Sequence, residues 1–343
     1  MGKNRAEARD HGIGFRDRLL GLWTAGETLD RAVATLDTIR ARLDEVEREN
    51  RILIRQMLIP KERFWQGQPE PLVDAVPAPL AFAQSCLCRA QHFRQPYFSY
   101  WTRELGEALR YHRKLWEFVF ICQALYERGM IVPGSRALGF GVGEEPLSAY
   151  FAGRGVEVMA TDMSADQAVA AGWTQTAEHA AGKESLRRPA LCDDAAFEEN
   201  VSFQTVDMNH VPDDLTGFDF CWSACALEHL GSIGHGLDFI ERSLETLKPG
   251  GLAVHTTEFN LSSDADTLET AQTVLFRRRD IESLAERLRA KGHIVVPIDF
   301  HPGYGDVDRY VDVAPYLYEP HLKLMLEGYA TTSIELIVQR RSE

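Results

Sequence analysis

The stretch Ala137-Leu-Gly-Phe-Gly-Val-Gly-Glu-Glu-Pro146, with Asp162 19 positions after Gly143, decides the fold. Three glycines at alternate positions end one predicted strand and open a predicted helix. Such a turn lets a ligand come close to the backbone, because no Cβ stands in the way. An acidic residue closing the next strand is the usual partner of ribose hydroxyls in nucleotide-type folds. The residues just after the glycines narrow the choice of ligand. A dinucleotide fingerprint G-x-G-x-x-G requires its third glycine at position 144, where this chain has Glu144, followed by Glu145. Two carboxylates at a helix start oppose the pyrophosphate that this terminus otherwise attracts. The pattern fits a ligand with no phosphate and a cationic centre, and it disfavours a nicotinamide dinucleotide.

Outward from this turn the chain alternates strand and helix. Strands are predicted at Arg136–Phe140, Glu157–Thr161, Val201–Thr205, Phe218–Ser223, Gly251–Thr257, His293–Phe300 and Thr332–Gln339. Helical patterns lie between most of them. This is the signature of an α/β fold, a Rossmann-like and mostly parallel seven-stranded sheet flanked by helices. The last strand comes after a long insertion, residues 301–331, which leaves it able to return antiparallel.

Five motifs stand in order along this region: G-F-G-V-G; A-T-D162; V-D207-M-N; F-D-F-C-W-S-A-C-A-L-E-H-L; and L-K-P-G-G-L-A-V-H. In that order and spacing, residues 130–340 resemble a class I S-adenosylmethionine-dependent methyltransferase, of the type 11-like small-molecule or glycan kind. The resemblance implies S-adenosyl-L-methionine as cofactor. Gly139, Phe140, Gly141 and Gly143 would border its methionine part. Asp162, with Met163 beside it, would accept both ribose hydroxyls in a charge-assisted contact. Asp207 would receive the adenine amino group, Met208 would pack on the ring, and Ser223 would complete the site from the fourth strand. The plainer reading of Asp162 and Asp207 is a helix N-cap after each strand. The family usually carries an acidic residue two positions before the first glycine, to hold the cofactor's amino group. Here that position is Ala137, and Glu144 or Glu145 is the candidate replacement.

Methyl transfer is an in-line displacement from a sulfonium, so positioning supplies much of the rate. An oxygen acceptor of high pKa also needs a base. His229, in Ala226-Leu-Glu-His-Leu230, is the first candidate, since related small-molecule enzymes place a histidine near the transferred methyl there. His255 and Glu258, near the end of strand five, are the others. Each has a structural hydrogen bond as its bland alternative. No ligand pattern demands a metal, and no metal ligand is assigned; a divalent ion held by Glu258, His255 or the run Asp306, Asp308 and Asp312 is the open alternative. The run Asp306, Asp308 and Asp312 reads as a solvated or substrate-contacting loop. After strand four the chain has Ser223-Ala-Cys-Ala226, so the D/N-P-P-Y/F signature of base-amine methylation is absent.

Composition supports that exclusion. The net charge is −14, and residues 1–60 are nearly neutral at +1, so the acidic surplus falls on residues 61–343. A nucleic-acid partner needs a basic face. The six cysteines (86, 88, 122, 192, 221 and 225) lie in apolar sequence. With no secretory pattern at the start and no apolar run long enough to span a membrane, they are expected to be reduced structural thiols of a cytoplasmic protein.

Residues 1–59 form a predicted helical segment with a heptad over 29–57. Leu29, Leu36, Leu43, Asn50 and Met57 occupy one seam position; Ala32, Ile39, Val46 and Leu53 occupy the other. A 3.5-residue repeat with a single seam asparagine fits a two-stranded coiled coil, hence a homodimer. Next come a Pro-containing linker (60–80) and an aromatic helical cap (81–129). The cap and the insertion, with Tyr304, Tyr310, Tyr316 and Tyr318, are expected to wall the acceptor site for a small molecule or glycan hydroxyl. The competing reading is a non-catalytic coiled-coil assembly protein that retains a cofactor-binding domain.

Overall fold

The computed structural model describes residues 15–57, 69–77, 83–166, 179–270, 272–316 and 319–342. Two compact units are formed, Met1–Arg51 and Ile52–Glu343.

In the first unit and just beyond it, the polar heptad region forms one continuous helix, α1 (Phe15–Met57). Its seam is turned to solvent: Leu36, Ile39, Leu43, Val46 and Leu53 are 63%, 51%, 60%, 37% and 37% exposed. The seam ends at Leu29 and Met57, whose side chains lie outside the described set.

In the second unit, short apolar runs bounded by glycine become parallel strands covered on both faces, as runs without alternation should. They are β2 (Arg136–Phe140), β3 (Glu157–Asp162), β4 (Val201–Thr205), β5 (Phe218–Ala224) and β6 (Leu247–Asn260). With β7 (Ile294–Val295) and β10 (Tyr329–Gln339), the order across the sheet is β4-β3-β2-β5-β6-β10-β7. Strands β2 to β6 pair in parallel, whereas β10 runs antiparallel between β6 and β7. A short β9 (Leu324–Leu326) adds an antiparallel hairpin on β10. The topology is Rossmann-like, with the last strand reversed.

One expectation is corrected. The predicted strand His293–Phe300 is split, because Pro297 has no N–H to give to a ladder. Its second half, β8 (Ile298–Asp299), pairs instead with β1 (Ser85–Cys86). The segment 81–129 packs into the core of the sheet domain and also reaches the cavity at the strand ends through Glu107, Arg113, Lys114 and Phe118. It forms α2 (Pro96–Glu104) and α3 (Arg113–Glu127), and its Phe93, Tyr97, Phe98, Trp101, Trp116 and Phe120 are at most 2% exposed in the same core as the sheet. The described part of the linker docks on α2, where Ser99 Oγ accepts from Leu72 N at 3.1 Å and Arg103 donates to Ala75 O at 3.3 Å. Residues 60–68 and 78–80 of the linker lie outside the described residues.

The remaining helices are α4 (Leu147–Ala152), α5 (Asp194–Asn200), α6 (Ile233–Glu245), α7 (Arg278–Ala290) and α8 (Asp306–Arg309). Among the described residues no helix is long and apolar enough to cross a membrane. All six cysteines are buried and unpaired.

Candidate active site

From β2 the chain steps outward to β3 and β4, then crosses back to start β5 on the other side. At such a switch point the two connections leave in opposite directions and open a crevice beyond the strand ends. A cavity of about 650 Å³ lies there, lined from the turns after β2, β3, β4 and β5, from β6, and from the start of α3.

One half of it is built by the strand-end turns. Gly141 and Gly143 have φ of +56° and +50°, a region that costs glycine nothing, and both border the cavity. A Cβ on Gly141 would also meet that of Ala226 at 2.8 Å. Asp162 ends β3 with its carboxylate fixed by three backbone amides: Gly143 N at 3.0 Å, Met163 N at 2.8 Å and Ala180 N at 2.9 Å. Burial raises its pKa, and the three amides work against that rise. Met163, Asp207 and Met208 also line the space. Asp207 caps the turn after it, accepting from Asn209 N at 2.9 Å, and pairs with His210 at 2.8 Å. The capping alternative is therefore realised at Asp207, beside whatever else it holds.

The glycine turn does a second job that sequence pattern did not disclose. Gly139 is not at the cavity wall; a Cβ there would lie 2.5 Å from the Trp222 ring. The missing side chain lets Trp222 of β5 pack against β2, and its Nε1–H donates to Glu145 at 2.5 Å. Glu145 is buried and lines the cavity, whereas Glu144 is exposed at its rim. Burial pushes the Glu145 carboxyl up to about 8, against the Trp222 hydrogen bond. Of the two candidates for the charge missing at Ala137, the buried one faces the cavity interior.

The other half is assembled from distant segments. His112 caps α3 by accepting from Lys114 N at 3.2 Å, and His321 of the insertion accepts from Arg113 N at 2.9 Å. This anchoring sends Arg113 and Lys114 into the cavity. Arg113 forms an ion pair with Glu258 of β6. Lys114 donates to Ala224 O at 3.1 Å and pairs with Glu117 at 3.3 Å. Burial alone would lower the Lys114 pKa, but the neighbouring Glu117 outweighs it and holds the ammonium charged. Burial likewise opposes the charge on Glu117; Lys114, Arg113 and the Ser333 hydroxyl reverse it. Cys225, just past β5, has φ of +50° and is held by Thr256, whose carbonyl and hydroxyl accept from its N–H at 3.1 and 3.0 Å. Its thiol is pushed well up by burial and donates to Glu117 at 3.1 Å.

His229 lines this half, half-buried, with Nδ1 3.0 Å from Gln272 O and 3.2 Å from Thr273 Oγ1. A carbonyl can only accept, so Nδ1 carries the proton and the basic lone pair is on Nε2. Glu258 lines it too.

His255 does not. It is fully buried between β5 and α6, hydrogen-bonded to Ser223 at 2.8 Å and Ser243 at 2.9 Å. Burial lowers its pKa to about 3. Side chains alternate along a strand, so in the 255–258 run the odd position His255 faces away from the wall that Glu258 faces. Ser223 points with it, and Phe140 is packed against Phe239; neither borders the cavity. Of the insertion, Leu326 alone among the described residues reaches the wall. Tyr304 is 78% exposed and stacks on His301, Tyr316 donates to Met325 O at 2.5 Å, and Tyr318 lies outside the described residues. Asp308 and Asp312 are structural, accepting from Ala90 N at 2.7 Å and pairing with His321 at 2.6 Å. Arg113, Lys114, Cys225 and Glu228 were not foreseen; charged residues at a helix start carry no signal of which cavity they enter.

No known family profile and no curated protein sequence matches the chain. Solved structures are similar only loosely. A Galdieria sulphuraria protein assigned as a sarcosine dimethylglycine methyltransferase is 13% identical with a TM-score of 0.42, covering 65% of this chain and 84% of its own. The 4+2 cyclase SpnF is 18% identical with a TM-score of 0.41, covering 65% and 80%. The magnesium protoporphyrin IX methyltransferase ChlM of Synechocystis PCC 6803 is 13% identical with a TM-score of 0.39, covering 73% and 97%. Likenesses this distant carry no argument about activity, which rests on the site itself.

Proposed function

We propose that this protein is an S-adenosylmethionine-dependent methyltransferase that methylates a hydroxyl of a small molecule or glycan. The observation that carries this reading is the polarity of the cavity. One half offers fixed carboxylates, Asp162 for ribose hydroxyls and Glu145 for an ammonium, around a glycine turn with, among the described residues, no cluster of basic groups for a pyrophosphate. The other half offers His229 and Glu258 as proton acceptors. Asp207 and Met208 would border the adenine, and Gly141 and Gly143 the methionine part. His229, through Nε2, is the preferred base, because its tautomer is already set and its position is the one the family resemblance implies. Calorimetric titration with S-adenosylmethionine, then transfer of a labelled methyl group to a panel of hydroxylated small molecules and glycans, tests this. Cofactor binding with transfer to none of a broad panel would favour the non-catalytic assembly protein. Tight NADH binding without S-adenosylmethionine binding would overturn the reading altogether.

We further propose that the chain is a homodimer through α1. Among the described residues of its unit nothing covers the exposed leucine, isoleucine and valine seam, and a second copy offers the complementary stripe. Asn50→Val should raise the stability of the paired state or shift its stoichiometry, measured by sedimentation. A monomer before and after the substitution would refute it. The six reduced thiols accord with a cytoplasmic setting.

A further inference from the structure

The acceptor half of the cavity holds an imbalance of buried charge. Arg113 and Lys114 face Glu117, Glu228 and Glu258, two cations against three carboxylates. Glu228 and Glu258 are 1% and 2% exposed. Buried charges are normally paired, since an uncompensated one forfeits its hydration. Arg113 serves Oε1 of Glu258, yet Oε2 of the same carboxylate is buried with no hydrogen-bond partner. Beside it stand Cys225, held in its left-handed backbone conformation, and Glu228, whose Oε2 accepts from Thr257 Oγ1 at 3.0 Å. One ligand atom from each of Cys225, Glu228 and Glu258 lies within 4.8 Å of the others. Zinc bonds of about 2.0–2.3 Å in a tetrahedron put donor atoms roughly 3.5 Å apart. Small side-chain rotations close that difference.

We propose that Cys225, Glu228 and Glu258 bind a divalent transition-metal ion, of which Zn2+ is the best match, in the acceptor half of the cavity. The donor set selects the class of ion. A thiolate disfavours Mg2+ and Ca2+, which prefer all-oxygen sites, and suits Zn2+ or Co2+. Three protein ligands with the fourth position turned to a cavity is the arrangement of a zinc site that takes an exogenous ligand. Arg113 need not leave, because it holds Oε1 while Oε2 is the atom in want of a partner. Binding releases the Cys225 thiol proton to solvent, leaving Glu117 with the Ser333 hydroxyl as donor at 2.5 Å. The buried charge then changes from −1 to zero: the ion adds two positive charges and the thiolate one negative. The sequence offers no ligand spacing that reveals this, since Glu258 joins the other two only through the pairing of β5 with β6. What the ion would do, polarise an acceptor hydroxyl and lower its pKa, rests on the methyltransferase reading. Its binding does not.

The test uses the full chain, stripped with chelator and titrated with Co2+ and with Zn2+. The expected result is one Co2+ per chain with a near-ultraviolet thiolate-to-cobalt charge-transfer band, bleached by Zn2+. That band should vanish in Cys225→Ser and persist in Cys192→Ser. Glu258→Gln removes a direct ligand and should weaken Zn2+ binding by more than about 100-fold, the upper end of what loss of an outer partner alone costs. Absence of the band in the unaltered protein overturns the proposal, whatever the variants do, as does a band that survives Cys225→Ser. Metal binding without any methyl transfer would leave this site standing and count against the proposed activity. Transfer that proceeds fully in the metal-free protein with no cobalt band would do the reverse.

Discussion

The two halves of the cavity are held in place by different means. Around the glycine turn, Asp162 and Asp207 sit at or just after the ends of their strands with carboxylates fixed by backbone N–H groups; Asp162, with three, is the clearest case. Across the cavity, the groups come from α3, β5, β6 and the insertion, and they hold one another by charge, as Arg113 does Glu258 and Lys114 does Glu117. Local amides give a rigid site whose contacts can be removed singly. A buried charge network redistributes when one member is lost, so its members are not additive. The cofactor half should therefore respond to substitution contact by contact, and the acceptor half as a unit.

The sharpest way to break this distinction is His229→Ala. If His229 is the base, methyl transfer should fall by about 10²- to 10⁴-fold, while cofactor affinity from calorimetry stays within a factor of about two, well under the roughly 1.4 kcal/mol of a tenfold change. A parallel loss of cofactor affinity would mean that the halves are coupled and the comparison is false.

Asp162→Ala probes the other side. Removing a charged acceptor from ribose hydroxyls should cost roughly 1.5–3 kcal/mol of cofactor binding. The same substitution leaves Gly143, Met163 and Ala180 N–H groups without their acceptor, so thermal stability of the cofactor-free protein must be measured alongside. Unchanged affinity would remove Asp162 from the site.

This division also decides what the sequence reveals. Strand-end motifs are contiguous, so Gly141, Gly143, Asp162, Met163 and Met208 were legible, and six of seven predicted strands overlap observed ones within the sheet as single elements. The seventh was interrupted by Pro297, a breaker already visible in the run. The acceptor half was not legible. His255 and Glu258 lie in one strand, and only strand parity separates the one that faces the cavity from the one that does not; that parity is set by packing rather than composition. Arg113 and Lys114 reach the cavity because His321, more than 200 positions later, anchors their turn. The aromatic density of 81–129 signalled burial, and among the described residues the segment walls the cavity through Glu107, Arg113, Lys114 and Phe118 rather than through most of its aromatic side chains.

Glu145 lies where the comparison is least secure, since it sits in the cofactor half but is held by a side chain, Trp222, from across the switch point. In the cofactor-free fold its carboxyl is raised to about 8, whereas an unfolded chain would titrate it near ~4.3. The folded state thus keeps a proton that the unfolded state gives up. The group's contribution to stability is complete below about pH 4 and is lost as pH rises through 8. A cofactor ammonium pairs only with the carboxylate, so binding near neutral pH must expel that proton. Affinity should rise between about pH 6 and 7 by up to roughly tenfold per unit, below the range where the cofactor's own amino group titrates. Calorimetry in two buffers of different ionisation enthalpy reads the released proton directly. In Glu145→Gln the release should disappear and the affinity become flat with pH. If the wild-type protein binds without releasing a proton, Glu145 does not replace the acid missing at Ala137, and the cofactor half has an amino-group partner still to be found among its backbone carbonyls.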